Sequence, residues 1–93
     1  MADLGELPNL GSHSVEQLKA VGIETAEDLV ALGAEQAWLK IQVIDPGVCL
    51  HMLYGLEGAV QGIPKAQIDA ARKQQLKAFM QSNQSVKERV SSV

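Results

Sequence analysis

Three side chains capable of proton-transfer chemistry fall on one helical row: His51, Tyr54 and Glu57, at i, i+3 and i+6. A histidine and a carboxylate facing each other in a groove would make an acid–base pair. No nucleophile, phosphate loop or metal spacing accompanies them. Cys49 and His51 are two apart on a helix, so they point to different faces and cannot chelate one ion together. His13 stands far from both. Gly55, Gly58 and Gly62 do not make a nucleotide loop, because they lie in or at the end of a helix and follow no strand. The row reads as structural, with no cofactor, no metal and no enzyme activity expected.

Two further sets of residues could meet a partner. One is a pair of glycine-containing turns, Leu10, Gly11, Ser12, His13, Ser14 and then Gly22, Ile23, Glu24, Thr25, whose backbone N–H groups have the geometry to contact phosphates. The other is the basic run Arg72, Lys73 and Lys77, with Lys77 one turn beyond Lys73. A run of this kind is either a solvated face or a docking site for an acidic protein.

The element that positions the rest is Pro46–Gly62. Cys49, Leu53, Leu56 and Val60 form one apolar stripe, with Met52 and Ala59 beside it, which predicts a buried helix. A glycine inside a helix costs about 1 kcal/mol against alanine. Gly55 and Gly58 therefore point to close approach of another backbone, and Gly62 to a left-handed cap. Pro46 is placed near the first helical position, and Cys49 serves as a small hydrophobe.

Four shorter helices surround it. The first follows the tight turn Leu7–Gly11, with Ser12 or Ser14 as cap and Ser14–Gln17 as a capping box. It buries Val15, Leu18 and Val21 and closes at Gly22. The second opens at Thr25 as N-cap, with Glu27 and Asp28 favouring the positive end. It buries Leu29 and Leu32 and stops at Gly33. The third runs from Ala34 to about Val43 and buries Ala37, Trp38 and Ile41. The last starts after Asp69 and runs to about Gln81, with Ala71, Leu76, Phe79 and Met80 as its apolar stripe. Residues 1–6 read as a flexible lead-in, 7–81 as one helical domain and 82–93 as a disordered tail, in which Val86–Val90 has the spacing for one further turn.

Ninety-three residues make one domain with a modest core. With three aromatics and no strand-type runs, the class is all-α: a single compact bundle of about five short helices. A single cysteine excludes an internal disulfide and suits a reduced, cytoplasmic thiol. The start of the chain has no apolar leader segment, and no apolar run reaches membrane-spanning length. The net charge of −3 is uneven. Residues 1–35 hold seven acids against Lys19, whereas 64–93 hold six bases against two acids. Such a split can hold the two ends together or orient a partner; two independently solvated faces would give the same split.

Leu10–Leu32, two capped helices joined by Val21-Gly22-Ile23, resembles a helix-hairpin-helix, and Pro8–Ser14 resembles a second such turn. The front half also resembles the C-terminal domain of the bacterial RNA polymerase alpha subunit. Over a longer stretch, Leu7 to Met80, the chain resembles the C-terminal domain of the TfoX/Sxy family of bacterial competence regulators. The matching blocks are Leu7–Gly11, Val21–Ala34 and Leu50–Ile63, with Leu53-Tyr54-Gly55-Leu56-Glu57-Gly58-Ala59 the most specific. Pro64 stands where the family often has an aromatic. The resemblance implies a bundle of about five helices and a role in regulating genes for DNA uptake. In longer members this domain follows another, so this chain is either a stand-alone member or a domain cut from a longer protein.

The expected function is therefore a non-enzymatic regulatory module that binds a protein. Self-association is an added expectation, because glycine-lined helix surfaces and few aromatics favour burying more area in a dimer. The alternative is DNA binding through the two turns. The acids around them oppose that alternative, since phosphate contact draws its affinity from lysine and arginine.

Overall fold

The computed structural model describes residues 3–83. Five α-helices follow in order: α1 (Ser12–Ala20), α2 (Ala26–Leu32), α3 (Ala34–Ile44), α4 (Leu50–Gln61) and α5 (Ala70–Ser82). Short 3-10 turns at Leu4–Glu6 and Lys65–Gln67 complete the elements of the described residues. Among the described residues there is no strand, only one antiparallel bridge between Asp3 and Thr25. The chain is an all-α bundle organised around α4, which packs most extensively on α3 and also on α2, α5 and the Lys65–Gln67 turn. No described helix is long and apolar enough to cross a membrane.

The core is aliphatic around one indole. Trp38, Leu4, Leu18, Leu29, Ile41, Leu53, Leu56 and Leu76 are its largest fully buried side chains. Trp38 sets its indole N–H on the Cys49 carbonyl at 3.2 Å and meets the Phe79 ring edge-on, centroids 6.2 Å apart. A buried Trp needs such an acceptor, because an unpaired N–H would forfeit its hydration.

Several sequence expectations change here. Residues 4–6 are not a loose lead-in: Leu4 is fully buried in the common core and Asp3 pairs with Thr25. The central helix begins at Leu50 rather than near Pro46, and Asp45–Val48 is a turn held by the Val48 N–H on the Asp45 carbonyl. Cys49 is consequently the N-cap residue and exposed, not part of the buried stripe. Helix α1 begins at Ser12 with Gly11 as N-cap and no side-chain cap. The Ser14–Gln17 box does not form, because Ser14 already lies inside the helix and its side chain and that of Gln17 meet other partners, as described below. In α5, Ala71 faces solvent, while Leu76 is buried and Phe79 and Met80 are half-buried. The disordered tail drawn over 82–93 and the extra turn at Val86–Val90 fall mostly outside the described residues; Ser82 ends α5.

Candidate interaction surface

The turn between α1 and α2 is built from local hydrogen bonds. The Gly22 N–H donates to the Lys19 carbonyl and the Ile23 N–H to the Leu18 carbonyl, at 3.1 and 2.9 Å. This double closure needs a residue at positive φ, and Gly22 supplies it at +89°. Thr25 then caps α2, its hydroxyl accepting the Asp28 N–H at 3.1 Å. The Asp28 carboxylate reaches back and accepts the N–H groups of Glu24 and Thr25, each at 3.3 Å. These are backbone donors of the kind that a helix-hairpin-helix offers to a phosphate. Here the chain's own carboxylate occupies them.

The preceding turn, Leu7–Gly11, is held from a distance. Asn9 adopts φ +72°, which asparagine tolerates better than most residues. Its side-chain amide donates to the Ile63 carbonyl at 3.0 Å and weakly to the Gly55 carbonyl at 3.5 Å. Its side-chain oxygen accepts the Lys65 N–H at 2.9 Å. Asn9 thereby ties the start of the chain to α4 and to the segment that leaves it. Gly58 makes this possible. A Cβ there would lie 2.7 Å from the Ile63 carbonyl oxygen, 3.3 Å from the Lys65 Cα and against the Asn9 amide. At Gly55 a Cβ would meet Asn9 only at ordinary contact distance, 3.6 Å. Gly62 supplies the positive φ, +76°, that ends α4. The inner glycine face of α4 is thus packed against the chain's own turns.

Beyond Asn9 the two turns differ again. Ser12 and His13 are exposed, Ser14 lies against the Met52 sulfur at 3.6 Å, and Gln17 donates to Asp45 at 3.0 Å. A surface groove of about 340 Å³ runs beside them, with Asn9, His13, Asp45, Cys49, His51 and Lys65 in its walls.

The basic run on α5 does not act as one patch. The Arg72 guanidinium donates to Glu35 at 2.8 Å and to Glu57 at 2.9 Å, so two acids from α3 and α4 consume its charge. Gln61 also donates to Glu57. Burial pulls the Glu57 carboxyl upward, but the hydrogen bonds from Arg72 and Gln61 and the Arg72 charge outweigh it and hold it below the ordinary carboxylate value. Hydrogen bonds to Glu57 and then Glu35 raise Arg72 above its ordinary value. Lys73 places its ammonium 5.8 Å from the centre of the Tyr54 ring, and Lys77 is exposed.

The His51–Tyr54–Glu57 row is likewise dispersed. His51 faces solvent, Tyr54 is half-buried with its hydroxyl 3.5 Å from the Lys73 carbonyl, and Glu57 is buried in its ion pair. No group of three or more metal-ligating side chains converges among the described residues.

The model of the TfoX C-terminal domain matches residues 1–80. This chain belongs to the TfoX C-terminal domain family. It is 37% identical over 79 residues to Protein Sxy of Escherichia coli K12, a match covering 85% of this chain and 38% of that protein. It spans well under half the length of that curated relative. Two crystal structures of proteins of uncharacterised or unknown function from Listeria monocytogenes share the fold. The triclinic form has a TM-score of 0.86 at 46% identity, covering 87% of this chain and 92% of that one. The tetragonal form has a TM-score of 0.83 at 45% identity, covering 84% and 96%. The Leu53–Ala59 block of this chain lies on α4, in contact with Asn9 and Arg72.

Sequence reasoning missed three residues of this arrangement. Asn9 carried one signal, an Asn in a Pro-Asn-Leu-Gly turn, where positive φ is common. Glu35 carried none, because nothing local marks which cation a surface acid will meet. Asp28 was placed as a dipole partner of α2, and its three-residue spacing from Thr25 was the unread sign of a capping box.

Proposed function

We propose that this chain is a non-enzymatic regulatory module in bacterial competence, working in the cytoplasm by binding a protein rather than DNA. The regulatory role rests on the family. The choice of protein over DNA rests on one observation: Asp28 occupies the Glu24 and Thr25 N–H groups that follow Gly22 in the turn. A phosphate there would have to displace a carboxylate that also completes the cap of α2, and Glu24 and Glu27 would repel it. Arg72, which a basic-helix mode of DNA binding would need, is committed to Glu35 and Glu57.

A second reading keeps DNA at the other turn. It is favoured by the uncapped start of α1 at Ser12–Ser14, beside His13 and Lys65. The two readings separate in an amide chemical-shift titration with a short DNA duplex at low salt. The expected result is no localised shift at millimolar duplex. Shifts at Ser12–Ser14 that fade as salt rises would overturn the protein-binding reading in favour of the second.

A further inference from the structure

We draw no further inference here: the strongest candidate, the surface groove of about 340 Å³ that His13, Cys49, His51 and Lys65 line at the uncapped starts of α1 and α4, rests on two helix N-termini and a lone cysteine, and among the described residues no buried, unpartnered polar side chain points to a ligand for it.

Discussion

The two glycine turns of the front half look alike in sequence and are held by different physics. Val21–Thr25 is closed mainly from within: the hydrogen bonds from Leu18 to Asp28 that shape it span at most five residues, and a single bridge from Thr25 to Asp3 joins it to the start of the chain. Leu7–Gly11 is closed from outside, by an amide that reaches 46 to 56 residues along the chain to Gly55, Ile63 and Lys65. A locally closed turn keeps its shape whatever packs on it, and so can carry an acidic, partly apolar surface. A turn closed by tertiary contacts is a staple, and its residues are spent on holding α4 to the start of the chain.

The largest effect should come from breaking the staple. Gly58→Ala forces a methyl against the Ile63 carbonyl and the Asn9 amide. The expected loss is about 3 kcal/mol after the helix-propensity gain of the new alanine, or a Tm lower by at least ~10 °C. Gly55→Ala is the control, since its methyl meets Asn9 at ordinary contact distance. It should be neutral or gain up to about 1 kcal/mol. Thermal unfolding of both decides the matter, and equal losses would show that Asn9 is not the reason for the glycine.

A second tertiary fastener is ionic, which separates it from the neutral Asn9 staple. Arg72→Met leaves the Glu57 carboxylate buried without its cation. The expected cost is about 2 kcal/mol, less than for a fully enclosed pair because the Arg72 side chain is 28% exposed. The sign of its pH dependence follows from Glu57. Its folded value is lowered, so its contribution is complete above the unfolded value, about 4.3. It is lost as pH falls from there through the lower folded value. Denaturant titrations from pH 7 to 2 should show this loss in the unaltered protein and a flatter profile in Arg72→Met. A difference between them that does not change with pH would remove the ionic account.

The smallest effect belongs to the locally closed turn. Thr25→Ala removes the side-chain acceptor of the Asp28 N–H and should cost about 1 kcal/mol. The cost should fall on α2 alone, so amide exchange ought to rise at Ala26–Leu32 and stay unchanged at Asn9 and α4. Exchange rising throughout would mean that the two turns are coupled after all.

What was legible in the sequence follows the same division. Gly22, Thr25, Gly33, Asp69 and the apolar spacing of α3 mark elements whose hydrogen bonds close within one or two helical turns, so the chain carries both partners close together. The start of α4 was misjudged because Pro46 fits a first helical position as well as it fits the Asp45–Val48 turn that the structure adopts. The Ser14–Gln17 box was a valid local pattern that lost to distant partners, Met52 and Asp45.

By itself, then, the sequence determined an all-α bundle, most of its helix ends and the acidity of its front half. Those depend on periodicity, capping and charge, which are properties of neighbouring residues. The tertiary structure alone decided that Asn9 fits against Gly58, that Glu35 and Glu57 converge on Arg72, and that Cys49 is exposed while Leu4 is buried. Each of these pairs groups from separate elements. Hydrogen bonds and ion pairs act over about 3 Å, and the packing that brings such groups that close leaves no mark in the local sequence.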